Sequence, residues 1–285
     1  MLHFQSYGKL TALGASAMSV TYKNAPLVEL IAELRWGPEQ HPVTSPQGAP
    51  AFRLALPRTR DEEVFMQLGA VMSAAGYSRL ERIAPPGVPL PTHQVVYRFR
   101  PTNPNDQSRL FQVGHSIFTA NALPPYQSWA EFSPLVEKGI DSLLIAYKRA
   151  NAKPPSFTTA LVRYINAFDS RFTKGLSTLE FLRQVLGVHV TLPGGIEHRA
   201  VAKDQIQPAI QFTVPIADGQ MQISLGDGQK GNERAVIMDI LVVLQRPMGT
   251  DVGMAMQALA DARLVIHETF REITRPLHEF MEPVE

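Results

Sequence analysis

The stretch Leu-Val-Glu-Leu-Ile-Ala-Glu-Leu-Arg-Trp, residues Leu27–Trp36, decides the fold that we expect for this chain of 285 residues. Apolar side chains fall on every second position, so that Leu30 and Leu34 share one face, whereas Glu33 and Arg35 share the other. A period of two is typical of a β-strand with one buried face. The stretch therefore predicts a strand in a sheet that is covered on one side.

The elements that follow this strand occur twice in the same order. The first series is a helix that begins near Thr59, four short strands, and a long helix that begins after Ser128. The second series opens with the strand Phe157–Phe168. A short helix capped by Ser177, further strands and a long helix from about Asp251 follow it.

This repeated order predicts an α+β fold of two similar lobes, residues 21–152 and residues 156–285. Each lobe would contain a strand, a helix, an antiparallel sheet and a long helix, and Lys153-Pro154-Pro155 would separate the lobes. The duplicated order resembles the architecture of the TATA-binding protein, which is a likeness of fold and carries no function. The alternative is two unrelated α+β domains, because residue identity between the halves is negligible.

Residues 1–20 are expected to form a poorly packed extension. Ala15-Ser16-Ala17 matches the small-residue cleavage pattern of a signal peptide. The apolar segment before it, residues 10–13, is shorter than the roughly 7–15 residues that a signal peptide needs. An extension from an upstream start codon therefore fits the sequence better than a secretion signal.

The composition argues against several classes of protein. The chain has no cysteine, which rules out disulfides, thiolate metal sites and a cysteine nucleophile, and favours a cytoplasmic location. A net charge of +1 with no basic stripe argues against nucleic-acid binding, which normally needs concentrated positive charge. No apolar run approaches the roughly 18–20 residues that cross a bilayer, so we expect no membrane insertion. Homo-oligomerisation stays open.

Two motif matches fail on their context. Residues 226–231, Gly-Asp-Gly-Gln-Lys-Gly, match a dinucleotide-binding pattern, but a strand rather than a helix follows at Ala235, so we expect a polar hairpin loop. His267-Glu268 begins a zinc-binding pattern whose second histidine would be residue 271, and that residue is Arg271. We therefore predict no catalytic residue, no cofactor and no metal site.

The main polar cluster that the sequence predicts centres on Asp239, in the otherwise apolar strand of residues 235–244. A buried carboxylate is costly unless it is paired, and Arg163 and Asn166 are its expected partners. In a functional version the cluster is a binding site between the lobes, to which the first strand adds Glu29, Glu33 and Arg35. In a structural version it is an ion-pair network within the sheet.

A second polar pattern lies on the closing helix, where Arg263, His267, Arg271 and Arg275 follow one another at a spacing of four residues. Glu268 and Glu272 lie beside them. Such a stripe is typical of a solvated helix face with ion pairs. The alternative is a surface that faces an anion or a protein partner.

Several motifs spread along the chain are shared with one protein family. They are Tyr22-Lys23-Asn24-Ala25-Pro26-Leu27-Val28-Glu29, Trp129 at the start of the first long helix, Arg163-Tyr164-Ile165-Asn166 in mid-chain, and His267, Phe270, Ile273 and Thr274 near the end, the last group with one residue shifted. On these motifs, across residues 22–275, the chain resembles an uncharacterised family of bacterial proteins that is distributed sporadically among genomes. The resemblance implies no activity and no catalytic residues.

Two functions follow from these features. The first is a non-enzymatic cytoplasmic module that binds another protein, such as an antitoxin, an immunity protein or an accessory subunit of a mobile or defence-linked locus. The second is an enzyme or small-ligand binder with a polar site between the lobes. A nucleic-acid saddle, which the duplicated order would allow, is disfavoured by the near-neutral charge.

Overall fold

The computed structural model describes residues 20–37, 43–44, 50–51, 54–55, 59–85, 90–126, 128–197, 199 and 206–284. The strands are β1 (Thr21–Tyr22), β2 (Leu27–Trp36), β3 (Val43–Thr44), β4 (Pro50–Ala51), β5 (Leu54–Ala55), β6 (Arg79–Arg82), β7 (Leu90–Pro91), β8 (Val95–Arg100), β9 (Arg109–Gly114), β10 (Ile117–Ala122), β11 (Phe157–Phe168), β12 (Ala209–Ile216), β13 (Gly219–Lys230), β14 (Glu233–Gly249) and β15 (Pro283–Val284). The helices are α1 (Thr59–Ala74), α2 (Trp129–Arg149), α3 (Ser170–Thr173), α4 (Thr178–Gln184), α5 (Gly194–Glu197), α6 (Val252–Ile273) and α7 (His278–Met281). The predicted extension of residues 1–20 lies outside the described residues, except for Val20.

Nine of the strands form one antiparallel sheet in the order β12-β13-β14-β11-β2-β10-β9-β8-β6. β2 and β11 pair at its centre, with Leu34 opposite Ala160 and Ala32 opposite Val162. Strands of residues 79–122 lie on one side of this pair, and strands of residues 209–249 lie on the other. The predicted α+β class is confirmed, and one sheet runs through both predicted halves.

The helices α1, α2 and α6 pack on one face of this sheet. Alternation along β2 brings the buried Leu30, Ala32 and Leu34 to that face, as the sequence predicts. Gly139 allows α2 to approach the sheet, because a Cβ atom there would lie 2.5 Å from Cε1 of Phe111. None of the described helices is both long and apolar enough to cross a membrane.

Three predicted helix starts are confirmed by their capping bonds. Oγ of Ser128 accepts a hydrogen bond from the backbone N–H of Glu131 at 3.3 Å at the start of α2. Asp251 does the same for α6 through the N–H of Met254 at 2.9 Å. Ser177 and Glu180 form both bonds of a capping box at α4. These side chains bond N–H groups that have no partner inside the helix, which fixes where each helix begins.

Two expectations for the second half are wrong. Residues 226–230 belong to β13 rather than to a hairpin loop, and the turn comes after Lys230. Gly228 is needed there because a Cβ atom would lie 2.3 Å from Cγ1 of Ile237 on the neighbouring β14. Residues 188–193, where a strand near His189 was predicted from the sequence, form no regular element.

The segment before β2 is bound to the segment after α6. β1 pairs with β15, and the backbone N–H groups of Lys23 and Asn24 donate to the carbonyls of Glu282 and Met281 at 3.1 and 3.0 Å. The hydroxyl of Tyr22 also lies 3.2 Å from Nδ1 of His278. These bonds place residues 20–27 beside α6, where they form one wall of the cavity described next.

Candidate functional site

A cavity of about 70 Å³ lies on the helix-covered side of the sheet. It is formed where the start of β2, the middle of β11, the N-terminus of α2 and α6 meet. The side chains that give it its chemistry are Tyr22, Tyr126, Trp129, Tyr164, Arg263 and His267. Because these residues come from both halves of the chain, the cavity lies at the junction of the two predicted lobes.

Strand and helix periodicity bring these side chains together. On β11, Tyr164 and Asn166 point to the helix-covered face, since alternate residues of a strand share a face. On α6, Arg263, His267 and Phe270 are spaced by four and three residues, which keeps them on one side of the helix. The side chains of a central strand and of its covering helix therefore meet at the cavity.

The hydroxyl of Tyr164 is hydrogen-bonded to the hydroxyl of Tyr126 and to the guanidinium of Arg263. Burial raises the pKa of Tyr126, and the neighbouring Tyr164 hydroxyl raises it further. Burial also raises the pKa of Tyr164, although Arg263 opposes the shift. Both phenols are therefore neutral at physiological pH and keep their protons for hydrogen bonding.

His267 adds a neutral imidazole to the cavity wall. Burial, and then the positive charges of Arg263 and Arg271, lower the pKa of His267 to about 4. Its Nε2 atom is buried and has no hydrogen-bond partner among the described residues. The imidazole lines the cavity, and its Nε2 atom is a hydrogen-bonding nitrogen that no other described residue uses.

The cavity combines aromatic walls with a few convergent polar groups, which is typical of small-molecule sites. Among the described residues that line it there is no carboxylate, and in the described part of the chain no group of three His, Asp or Glu side chains could hold a metal ion.

The predicted pair of Arg163 and Asp239 lies on the opposite face of the sheet. Nε of Arg163 donates to Oδ1 and Oδ2 of Asp239 at 2.9 and 3.0 Å, and a second guanidinium nitrogen also donates to Oδ2. Asn166 does not join them, because residues three apart on a strand point to opposite faces. Nδ2 of Asn166 donates instead to the carbonyl of Met238 at 3.4 Å, and Asn166 lines the cavity.

Glu33 and Arg35 lie on the same face as Arg163, and Nε of Arg35 donates to Oε1 of Glu33. Burial raises the pKa of Glu33, which the charges of Arg35 and Arg163 oppose. Glu29 accepts a bond from Nδ2 of Asn121 at 2.7 Å on this face. The prediction of one cluster that includes Asn166 is therefore wrong. The sheet separates the charged residues on this face from Asn166 and the cavity.

The predicted stripe on α6 is not one continuous surface. Arg263 and His267 line the cavity, whereas Arg271 and Arg275 line a separate groove on the surface. Arg275 is exposed and pairs with Glu272 at 3.3 Å. The predicted stripe also extends past the helix, because α6 ends at Ile273 and Arg275 lies beyond its C-cap residue Thr274.

Tyr126, Trp129 and Tyr164 were not predicted as site residues, because tyrosine and tryptophan form no chemical motif at these spacings. The motifs that carry the family resemblance could have pointed to two of these residues, Trp129 and Tyr164. The motifs that carry the family resemblance converge on the cavity: Tyr22, Pro26, Leu27, Trp129, Tyr164, Asn166, His267 and Phe270 all line it. The resemblance itself stays a prediction, but segments far apart in the sequence meet at one place.

We expect Asp239→Asn to lower the free energy of unfolding by about 1 kcal/mol. The substitution weakens a bidentate, charge-assisted bond to Arg163, and the exposed guanidinium limits the loss. Urea denaturation of Asp239→Asn, of Arg163→Gln and of the double variant would measure the coupling between the two side chains. Because the sheet lies between this pair and the cavity, ligand binding in the cavity should not change. Unchanged stability with lost binding would contradict this structural role.

Neither a protein-family model nor a curated protein matches this chain. One solved structure, the rolling circle replication initiator protein from Geobacillus stearothermophilus, aligns with 86% of this chain and 84% of its own at 12% identity, with a TM-score of 0.22. A TM-score this low does not show a common fold.

Proposed function

We propose that this protein binds a small organic molecule in the cavity between β11, α2 and α6. The observation that carries the proposal is the buried Nε2 atom of His267, which has no hydrogen-bond partner among the described residues. A buried polar atom without a partner costs about 1–3 kcal/mol. A ligand that forms a hydrogen bond with this nitrogen would remove that cost.

Two further features support a ligand site. The neutral hydroxyls of Tyr126 and Tyr164 and the guanidinium of Arg263 converge beside His267, so one bound molecule could contact all of them. The walls are aromatic, and aromatic side chains supply much contact area at a small entropic cost. Polar groups would then fix the orientation of the ligand and the aromatic walls would provide most of the affinity.

The test is a panel of neutral and anionic small molecules, screened against the full chain by ligand-detected NMR. Ala25 lines the cavity and is exposed, so Ala25→Trp should obstruct the cavity without disturbing the core. Ala74→Trp, at an exposed position at the end of α1, is the matched control. We expect compounds that bind the wild type and Ala74→Trp and bind Ala25→Trp at least tenfold more weakly. If no compound binds, or if Ala25→Trp binds as the wild type does, the proposal fails.

We also propose that the two halves are duplicated units in the order that resembles the TATA-binding protein. Supporting this, the strands run β2-β10-β9-β8-β6 outward from the centre in one half and β11-β14-β13-β12 in the other, so the four innermost strands of each half correspond. In each half the long helix, α2 or α6, directly follows the strand that pairs with the central strand. The cavity would then lie at the junction of two equivalent helices.

Protein binding in the cytoplasm, as an antitoxin, immunity protein or accessory subunit, stays a prediction from the sequence. The observation that favours it is the apolar surface of β12, the outermost described strand on one side of the sheet, where Phe212 and Val214 are 44% and 38% exposed. Exposed edge strands are frequent sites for the addition of a partner's strand. A protein partner and a small ligand would therefore occupy different parts of the molecule.

A further inference from the structure

We infer that the ligand of this cavity is a small carboxylic acid in its ionised form, with the carboxylate against Arg263, Tyr164 and His267 and an apolar body against Trp129 and Phe270. The inference rests on the proposed function and specifies its ligand. It is carried by the charge of the cavity, by the hydrogen-bond donors that converge in it and by the composition of its walls.

The charge of the cavity is positive. Among the described residues that line it, Arg263 carries a formal charge at neutral pH and none is acidic. His267 is neutral there, and Arg271 lies close enough to act on the same ring. The N-terminus of α2, a helix of 21 residues whose N-cap Ser128 lines the cavity, adds a partial positive charge. A ligand with one negative charge is attracted by the two guanidinium groups and by this helix end.

The donors around Arg263 suit a carboxylate. When Tyr126 and Arg263 both donate to the hydroxyl oxygen of Tyr164, the proton of Tyr164 remains available to a ligand. Nε2 of His267 supplies another hydrogen-bonding atom. A carboxylate has two oxygens that accept about four hydrogen bonds, and bonds to ionised groups are roughly twice as strong as those between neutral groups. Replacing the carboxylate by a neutral amide would turn one acceptor into a donor that faces a guanidinium.

The walls select against a purely inorganic anion. Trp129 and Phe270 stand at the cavity beside Tyr22, and these rings favour contact with an apolar body. Inorganic phosphate would leave that surface without contact and would bring up to two charges to a site with one lining guanidinium. A cavity of about 70 Å³ also limits the buried part of the ligand to a few heavy atoms beyond its carboxylate.

Intrinsic fluorescence can report the binding directly. The chain has two tryptophans, Trp36 and Trp129, and only the second lines the cavity, so a Trp36→Phe background isolates the signal of Trp129. The probes are butyrate and benzoate, their neutral amides butyramide and benzamide, and inorganic phosphate. We expect at least one of the two carboxylates to bind at least tenfold more tightly than its amide, and phosphate to bind more weakly than that carboxylate.

Variants on α6 separate the role of charge from that of folding. Arg263→Gln should abolish the preference for the carboxylate, whereas Arg263→Lys should keep part of it. Arg275→Gln, which lies just beyond the end of α6, exposed and outside the cavity, should leave the preference unchanged. Circular dichroism would show that each variant is folded. If Arg263→Gln does not fold, the carboxylate is tested by two other measurements. These are the affinities for acid and amide in the unmodified cavity and the same affinities in Arg263→Lys.

The outcomes distinguish this inference from the proposed function. Equal affinity for acids and amides would overturn the inference that the ligand is a carboxylate, and so would a preference that survives Arg263→Gln. The cavity would then be a site for neutral molecules. Absence of binding by both carboxylates would also overturn it, and the panel with Ala25→Trp would then decide the proposed function alone. A preference for phosphate over both carboxylates would show that the apolar walls do not contribute.

Discussion

We expect Ile266→Ala to lower the free energy of unfolding by about 2–5 kcal/mol, as truncations of large aliphatic side chains in packed cores do. Ile266 is fully buried at the centre of α6, the helix that packs on β11 and β14. Its removal would leave a cavity between the helix and the central strands, because neighbouring side chains relax only in part. Urea denaturation followed by circular dichroism would measure the change.

Leu264→Ala is the matched control for this prediction. Leu264 lies two residues away on the same helix and is 40% exposed, so its truncation should cost no more than about 1 kcal/mol. Phe270→Ala should also destabilise the protein strongly, near the lower end of the range for Ile266→Ala, because Phe270 borders the cavity as well as the core. Equal losses for Ile266→Ala and Leu264→Ala would contradict the packing of α6 against the sheet.

Much of the fold could be predicted because its signals are local. β2 and β11 have the predicted bounds, since alternating or continuous apolar residues and flanking turn residues mark a strand without reference to its neighbours. Ser128 and Asp251 fix the starts of α2 and α6 through bonds to N–H groups only three residues away. What local patterns could not supply is the pairing of β2 with β11, which joins the halves into one sheet.

The candidate site was predicted less well, for two physical reasons. Asp239 and Arg163 were correctly brought together because a carboxylate in an apolar strand needs a partner. Asn166 was assigned to the wrong face, although its separation of three residues from Arg163 on a strand already places it opposite. The cavity itself depends on Tyr126, which lies in a loop and reaches Tyr164 only when the sheet and α2 are assembled.

The second large effect that we expect is that protonation of His267 lowers the free energy of unfolding as the pH falls. Its pKa is about 4 in the folded chain and 6.5 in the unfolded chain, so the unfolded state takes up the proton first as the pH falls. The contribution of the neutral ring is therefore complete above about pH 6.5 and is lost as the pH falls towards 4. The difference corresponds to at most about 3 kcal/mol, and we expect about 2 kcal/mol because the ring is partly exposed.

His267→Gln should remove this acid-sensitive contribution, because glutamine keeps a polar side chain but takes up no proton. The free energy of unfolding, measured in urea at pH 7 and at pH 4, should then fall by about 2 kcal/mol less in the variant than in the wild type. His189→Gln, which changes an exposed histidine that does not line the cavity, should show the wild-type difference. The charges that oppose protonation of His267 come from Arg263 and Arg271, while Tyr22, Tyr126 and Tyr164 around the same cavity remain neutral in this range. Equal pH dependence of the wild type and His267→Gln would show that His267 is solvated in the folded chain, and would remove the observation on which the ligand site rests.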